Sequence, residues 1–220
     1  MKHLSVIFLL CSFFVKSQDL AKNVFSLKPA LGMNFCQIHG DNDAGFHKIG
    51  AFAGTAINAK FSDRISLELG FYFSQKGSRK NPTKDDPTFF RIHLNYIDLP
   101  LSLRIMANSK YFITLGPSIA YLISSKVDIN YSDYSDLFRF NTYEVGVNVG
   151  LGREIGEKIN VEVRSSNSIL PVLSYGFGST IFYPNPVARF FNKGLYSNML
   201  TLIFSYSIDL KKKQTINVEP

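Results

Sequence analysis

Charged side chains that could do chemistry are sparse in the predicted strands, and six of them share one face. They alternate with the large apolar residues at a period of two, among small polar residues. The six are Glu68, Asp98, Arg104, Glu144, Glu162 and Arg164. We predict that they form a charge network inside a barrel, where they fill the lumen and fix the strand register. Antiparallel pairing should bring Glu68 within about 4 Å of Arg104.

His93 is the candidate for a catalytic base. It lies on the polar phase near the outer end of its predicted strand, within reach of loop serines and acids. Some outer-membrane hydrolases place a His, a Ser and an acid at that level, with the base in hydrogen-bond range of the nucleophile. No serine motif accompanies His93, so we predict a structural histidine and no enzymatic activity. An enzyme acting on lipid or peptide at the barrel rim is the alternative.

The loop Asp41-Asn42-Asp43-Ala44-Gly45 resembles the first half of a calcium loop. The distal bidentate Glu of such a loop is missing. Asp, Asn and Gly are also ordinary turn residues. We therefore predict a turn here, and neither a metal nor another cofactor.

Aromatic and basic residues crowd the longest loop, between Ile169 and Leu195. They are Tyr175, Phe177, Phe182, Tyr183, Arg189, Phe190, Phe191 and Lys193. Such residues just above a membrane could hold lipopolysaccharide phosphates or a partner protein. Alternatively, the loop packs its own aromatic residues over the barrel mouth. The sequence leaves both interpretations open.

The element that organises these residues is the stretch from Asn95 to Arg104. From Ile97 on, every second residue is apolar, which is typical of a strand with one apolar face. Before that point the apolar residues fall on even numbers, and Pro100 follows. Proline in a strand indicates an edge or a bulge, and the change of phase predicts a β-bulge at Tyr96-Ile97.

The same alternation repeats along the chain and predicts eight strands. Their approximate bounds are 27–37, 49–61, 67–76, 91–106, 111–124, 141–154, 159–168 and 196–210. Long and short connections alternate strictly, as in outer-membrane barrels with short periplasmic turns and long external loops. We therefore predict an all-β fold, an eight-stranded antiparallel up-and-down transmembrane β-barrel.

The composition of the two strand faces predicts which one points inward. The polar face is rich in Gly, Ala, Ser and Asn, which suits a crowded interior better than a water-facing surface. The apolar face, including Leu67, Leu69, Phe71 and Phe73, should then meet lipid. Aromatic residues near its ends suggest the two interfacial girdles: Phe35, Phe61, Phe73, Tyr111, Tyr121, Tyr143, Tyr196 and Tyr206. A secreted lipocalin-like carrier, the third interpretation, would need a hollow apolar interior.

The ends of the chain predict export. A basic start, an apolar run from Leu4 to Val15 and a small residue at Ser17 indicate a signal peptide over 1–17, before a barrel over 18–210. A lipoprotein site at Cys11 lacks the usual small residue before it, and cleavage leaves Cys36 as a lone buried thiol. Residues 211–220 form a basic periplasmic tail. The net charge of +7 is spread over loops and ends and does not predict nucleic-acid binding.

Several segments together resemble the outer-membrane β-barrel family of Bacteroidota, which includes PorT-type proteins of the type IX secretion machinery. They are Gly32-Met33-Asn34-Phe35-Cys36-Gln37, Gly40-Asp41, Gly45-Phe46-His47-Lys48-Ile49-Gly50, Ser74-Gln75-Lys76-Gly77 and Asn95-Tyr96-Ile97-Asp98-Leu99-Pro100-Leu101. The resemblance implies an eight-stranded barrel in the outer membrane and no shared activity. The basic tail departs from the terminal aromatic residue of many such barrels.

These features predict a non-enzymatic outer-membrane β-barrel that scaffolds or binds through its extracellular loops. The expected partners are outer-membrane lipid and lipopolysaccharide, together with envelope or secretion proteins. The interior of an eight-stranded barrel is just filled by side chains, which argues against a general porin.

Overall fold

A computed structural model describes residues 25–39, 46–84, 86–174 and 194–210 of the chain. Eight long strands dominate it: β1 (Phe25–His39), β2 (Lys48–Lys60), β3 (Ile65–Lys80), β4 (Phe90–Met106), β5 (Tyr111–Ile129), β6 (Tyr143–Ile155), β7 (Ile159–Ser168) and β8 (Gly194–Tyr206). Each strand pairs antiparallel with the next, and β8 pairs with β1, so the sheet closes. The predicted eight-stranded barrel is confirmed.

Minor elements extend the barrel at its rims. Ser132–Asp133 pairs with the end of β5, Leu173–Ser174 with the start of β8, and Ile208–Asp209 with the start of β1. A single 3-10 turn, Ser135–Leu137, is the helical element of the described chain. No helix in these ranges is long and apolar enough to cross a membrane. The predicted signal peptide and the basic tail lie outside the described residues.

The two ends of the barrel differ in their connections. At one end, which we call the turn end, short turns join β2 to β3, β4 to β5 and β6 to β7. At the opposite loop end, longer connections join the remaining strands. The predicted alternation of short and long connections is therefore present. Strands β3 and β5 run several residues further toward the loop end than the sequence predicts.

The apolar face of the strands points outward, as predicted. On β3, Leu69 and Phe71 are 52% and 56% exposed, whereas Glu68 is only 6% exposed. Closure pairs the backbone groups of every long strand, which is the condition for a sheet in hydrocarbon. The barrel thus presents an apolar band to its surroundings and keeps its polar face inside.

The predicted bulge at Tyr96-Ile97 of β4 is wrong. Strands β3 and β4 keep one register from Lys80↔Phe90 to Ile65↔Ile105, and the even-numbered residues of β4 point inward from Ile92 to Arg104. A register shift does occur at this level, between Asn95 and Tyr96, but its extra residue is Ile123 of the neighbouring strand β5. A bulge at Ile123 exchanges the inward and outward positions of β5 above it.

What changes along β4 is the surroundings of the strand. Toward the loop end the lumen is filled by a set of buried apolar residues that we call the apolar cap: Ile38, Ile92, Leu94, Tyr96, Ala120, Val127, Val172 and Leu195. Phe138 and Phe140 pack against it from the long connection after β5. On the outer surface of the same β4 segment lie Arg91, His93 and Asn95. Above the apolar band the barrel therefore has an ordinary water-soluble arrangement, apolar inside and polar outside.

A ring of outward amide side chains marks the boundary between the two arrangements, and we call it the amide ring. Its members are Gln37, Gln75, Asn95, Asn167 and Asn198. The register pairs Gln37 with Asn198 and Asn198 with Asn167, and it pairs Gln75 with Asn95. Side-chain amides satisfy their hydrogen bonds in water or headgroups but not in hydrocarbon. The amide ring thus sets the upper edge of the apolar band.

Aromatic residues flank the apolar band at both edges. Tyr111 and Tyr206 are about half exposed near the turn end, where Arg153 and Lys158 lie over their rings. Near the amide ring Tyr121 and Tyr143 meet edge to face, with ring centroids 5.6 Å apart. Tyr196 does not join this girdle: it is only 8% exposed and lies beyond Asn198, on the loop side of the amide ring.

Candidate functional site

The first interior charge group lies near the turn end and contains the predicted Glu68–Arg104 contact. Glu68 Oε2 lies 3.7 Å from Arg104 Nη1 and only 2.6 Å from Lys28 Nζ. Arg104 Nη2 donates to Glu154 Oε1 at 2.6 Å and to Asn160 Oδ1 at 2.7 Å. The Glu68 carboxylate is therefore held mainly by Lys28, while Arg104 links four strands.

The Glu68–Arg104 contact is diagonal across two strands. The residue directly opposite Glu68 is Ser102, and the residue opposite Arg104 is Ser66. The contact spans this offset because Arg104 is long enough to reach a diagonal neighbour.

Arg104 also stacks on an aromatic ring. Its guanidinium carbon lies 3.4 Å from the centroid of Phe112, at cation–π distance. The tip of that ring lies against Gly152, where a Cβ atom would collide with it. Gly152 therefore provides the space that lets Phe112 support Arg104.

A second group occupies the middle of the lumen. Arg164 and Glu162, two residues apart on β7, are joined by Nε–Oε1 and Nη2–Oε2 contacts of 2.8 and 3.1 Å. Thr114 Oγ1 donates to the same Glu162 Oε1 at 2.6 Å. Such paired, charge-assisted bonds are stronger than neutral ones and fix the side chains in one geometry.

The third group lies just below the apolar cap. Lys76 Nζ lies 2.8 Å from Asp98 Oδ1 and 2.9 Å from Glu144 Oε1. Glu144 Oε2 and Tyr96 Oη are buried with no hydrogen-bond partner in the described chain. A cavity of about 20 Å³ adjoins Lys76, Asp98 and Glu144, and a site of this size holds about one water molecule.

Sequence reasoning missed three charged members of these groups: the buried Lys28 and Lys76, and the partly exposed Glu154. The six predicted residues carry two positive and four negative charges, which would leave a costly excess of buried negative charge. The two lysines lie on the same inward phase and balance it. The imbalance was thus a signal, visible in the sequence, that could have identified them.

The lumen is closed along its described length. The charge groups fill it from the turn end to Lys76, and the apolar cap fills it beyond. No hollow apolar interior of the kind needed by a lipocalin-like carrier exists among these residues.

His93 faces outward from β4 and not into the lumen, because its side chain shares the outer surface with Arg91 and Asn95. In the part of the chain that the structure describes, its Nε2 contacts Asn95 Oδ1 at 3.2 Å and makes no hydrogen bond to a serine or an acid. The geometry that a catalytic base requires is therefore not formed by the described residues.

Other predicted sites fall outside the described ranges. These are the turn Asp41–Gly45 and the loop residues Tyr175, Phe177, Phe182, Tyr183, Arg189, Phe190, Phe191 and Lys193. Over residues 25–39, 46–84, 86–174 and 194–210, no three metal-ligating side chains come together.

One loop-end connection has an unusual conformation. Asn130 and Tyr131 have φ angles of 48° and 66°, which closes a two-residue turn between β5 and Ser132–Asp133. Both φ angles are positive in a type I′ turn, where Gly is preferred at the second position. A left-handed Tyr costs about 1–2 kcal/mol relative to the right-handed form.

Contacts with Phe89 hold this turn. The Phe89 N–H donates to Asn130 Oδ1 at 3.0 Å, and the Asn130 N–H donates to the Phe89 carbonyl at 2.9 Å. The rings of Phe89 and Tyr131 stack at 4.5 Å, yet Tyr131 remains 78% exposed. The turn therefore presents a fixed aromatic ring to solvent.

The segment after this turn is also ordered by its own side chains. Ser135 Oγ accepts from the Val127 N–H at 3.1 Å and contacts Asp133 Oδ1. The 3-10 turn that follows leaves Leu137 75% exposed. Tyr131 and Leu137 are thus large exposed side chains on a hydrogen-bonded loop.

Comparison with known proteins gives one family match. The model of the outer membrane protein beta-barrel domain matches residues 17–174. A comparison with curated proteins found no match.

Three solved structures illustrate the likeness of fold. Ail, the attachment invasion locus protein of Yersinia pestis, is 10% identical over 84% of this chain and 99% of that chain, with a TM-score of 0.46. Neisserial surface protein A is 11% identical over 84% of this chain and 97% of that chain, with a TM-score of 0.45. OprG from Pseudomonas aeruginosa is 12% identical over 86% of this chain and 98% of that chain, with a TM-score of 0.40.

Proposed function

The chain belongs to the outer membrane protein beta-barrel domain family, and from this premise we propose that it binds an envelope protein through its extracellular loops, without enzymatic activity. As a member of that family it is an outer-membrane protein. Outer-membrane barrels keep their short turns in the periplasm and their longer loops outside. The loop end is accordingly the extracellular end.

The ordered loop after β5 is the observation that carries the proposal. Tyr131 and Leu137 are exposed, whereas the backbone beneath them is held by Phe89 and Ser135. Exposed aromatic side chains on a rigid backbone lose little entropy on binding and are favoured at the centres of protein interfaces. The unfavourable φ of Tyr131 supports a binding role, because a Gly would form the same turn without strain.

Charges in the loop suggest the nature of the partner surface. Asp133 and Asp136 lie between Tyr131 and Leu137 in the chain, and both are exposed. Opposite charge at an interface rim steers association and fixes orientation. We therefore propose a partner that offers an apolar pocket with a basic rim.

The longest loop is proposed as a second part of the same surface. The Asn141 N–H donates to the Val172 carbonyl at 2.8 Å, which joins the loop after β5 to the segment that leads into residues 175–193. The aromatic and basic residues predicted for recognition follow directly in the sequence. A partner from a secretion assembly, as for PorT-like barrels, is part of this proposal through the sequence resemblance alone.

Site-specific photocrosslinking in native outer membranes tests the proposal. A benzoylphenylalanine placed at position 137 should yield an adduct with an envelope protein, and the adduct should weaken at least fivefold in a Tyr131→Gly background. The matched control places the same crosslinker at position 69, which faces lipid. Identical adducts from positions 137 and 69, or an adduct unaffected by Tyr131→Gly, would contradict the proposal.

A further inference from the structure

A group of basic side chains lies on the outer surface of β3–β5, immediately beyond the amide ring. Two cross-strand rows build it: Gly77, His93 and Lys126 in the lower row, and Arg79, Arg91 and Asp128 in the upper row. Paired residues of an antiparallel sheet point to the same face. We call Arg79, Arg91, His93 and Lys126 the basic patch.

The basic patch keeps a positive excess after its internal pairing. Asp128 is shared by Arg91 Nη2 at 2.7 Å and Lys126 Nζ at 3.2 Å. The side chains of Arg91 and Lys126 nevertheless remain 41% and 53% exposed. Arg79 is exposed, and its Nε donates to the neutral amide of Asn81 at 2.9 Å. Asp133 pairs with Asp128 and adds a second carboxylate to this face. Three permanent cations therefore face two carboxylates, which leaves one positive charge for a ligand.

The height of the basic patch relates it to the membrane surface. Directly below it lie Gln75, Asn95 and Ser124, and below these begin the outward apolar residues Phe73, Ile97 and Tyr121. Since the hydrocarbon ends at the amide ring, the patch lies where lipid headgroups are. The ends of β3, β4 and β5 hold the patch on paired strands.

The basic patch occupies one side of the barrel. One row beyond the amide ring, the outward position that the structure describes on β8 is Tyr196, which is not a cation. A general attraction to headgroups would distribute cations around the circumference. Cations gathered on three adjacent strands instead form a local site for an anion.

We propose that the basic patch binds the phosphate groups of lipopolysaccharide in the outer leaflet. Arginine guanidinium groups donate paired hydrogen bonds to phosphate oxygens, and lysine adds a point charge. The adjacent apolar band receives the acyl chains, so one lipid molecule contacts both surfaces. The basic patch borders the loop that carries the proposed protein contact, since Asp133 of that loop pairs with Asp128, but neither Tyr131 nor Leu137 belongs to the patch.

Native mass spectrometry of the detergent-solubilised barrel tests this inference. Lipid A with both phosphates should bind at least tenfold more tightly than the same lipid A after dephosphorylation. The triple variant Arg79→Gln, Arg91→Gln, Lys126→Gln should lose that preference. The matched control, Arg153→Gln with Lys158→Gln, removes cations from the turn end and should keep the preference.

A second variant tests whether a larger positive excess strengthens lipid binding. Asp128→Asn removes the carboxylate that pairs with Arg91 and Lys126 while it keeps the side-chain shape, and it should tighten binding of phosphorylated lipid A severalfold. Folding of every variant is checked by heat-modifiable gel migration. Equal binding of the two lipids, or equal losses in the triple variant and the turn-end control, overturns the inference. Tyr131→Gly should leave lipid binding unchanged, so the lipid result does not depend on the protein partner.

Discussion

Lys76 Nζ lies 4.8 Å from the centroid of the Tyr96 ring, and this contact joins the charged and apolar parts of the lumen. Below it, Lys76 neutralises Asp98 and Glu144; above it, the Tyr96 ring opens the apolar cap. One lysine therefore keeps two buried carboxylates compatible with the apolar residues next to them. The stability of the upper lumen should depend on it.

Replacing Lys76 should destabilise the barrel strongly. Lys76→Met leaves Asp98 and Glu144 buried without a cation, and breaking a buried pair in this way costs roughly 3–5 kcal/mol. Urea unfolding in lipid vesicles, followed by heat-modifiable migration, measures the loss. Adding Asp98→Asn and Glu144→Gln to the variant should recover most of it. A single variant as stable as the wild type would show that the charges are not buried together.

Glu68 should couple more strongly to Lys28 than to Arg104. The contact distances are 2.6 and 3.7 Å, and Arg104 has hydrogen bonds to Glu154 and Asn160 as well. Two double-mutant cycles on the free energy of unfolding, Glu68→Gln with Lys28→Met and Glu68→Gln with Arg104→Met, compare the two couplings. Absence of coupling in both cycles would rule out the proposed structural role of this group.

Gly152→Ala should weaken the turn end through a neighbour. The new methyl group would push the Phe112 ring away from Gly152 and disturb its stack on Arg104. Overpacking of this kind costs about 1–3 kcal/mol. The smaller ring-free side chain of a Gly152→Ala, Phe112→Leu double variant should restore part of the stability. An Ala variant with unchanged urea midpoint would contradict the described packing.

Shortening the longest loop should leave folding intact only if its ends are kept. Val172 is fully buried and Leu195 is 7% exposed, both in the apolar cap, so the whole segment from Ile169 to Leu195 is not a dispensable loop. Deleting residues 176–192 should preserve the heat-modifiable folded band, since loop length affects stability weakly. Val172→Asp should abolish the band, because it buries a charge. A folded band from Val172→Asp, together with none from the deletion variant, would show that Val172 is not part of the core.

The loop between β3 and β4 should show a pH signature. Hydrogen bonds from the Lys80 ammonium and from Thr88 lower the pKa of the Asp86 carboxyl to about 2. A depressed pKa stabilises the loop above the unfolded value of about 3.9, and that contribution is lost as the pH falls toward 2. NMR titration of Asp86 measures the pKa directly. Thr88→Val should raise it, and a value near 3.9 in the wild type would contradict the contacts.

The period of two was enough to predict the barrel because inward and outward residues differ in kind along most strands. In β3, Leu69 and Phe71 face out while Glu68 faces in, as predicted from the sequence. In β4 the same alternation led to the wrong prediction of a bulge at Tyr96. Where the strand passes from lipid to water, the apolar residues change from outward to inward positions, and a bulge produces the same change of phase in the sequence. In the sequence, the only sign of where the membrane ends is a set of amides such as Gln75 and Asn95. That these amides lie at one level becomes visible only when the pairing of the strands is known.

The site was predictable in part for similar reasons. Glu68 and Arg104 were placed on the correct face and strands, and their 3.7 Å contact follows. Lys28 and Lys76 could have been found from charge balance. The exposed turn at Tyr131 could not, since nothing in the sequence shows that Phe89 of another connection holds a Tyr in a left-handed conformation.

The inverted arrangement above the amide ring also opposes loss of the barrel from the membrane. Withdrawal toward the turn end would take Arg79, Arg91 and Lys126 into the hydrocarbon, at about 2–4 kcal/mol per cation near the midplane. The outward cations beyond the amide ring therefore hold the loop end of the barrel on its own side of the membrane.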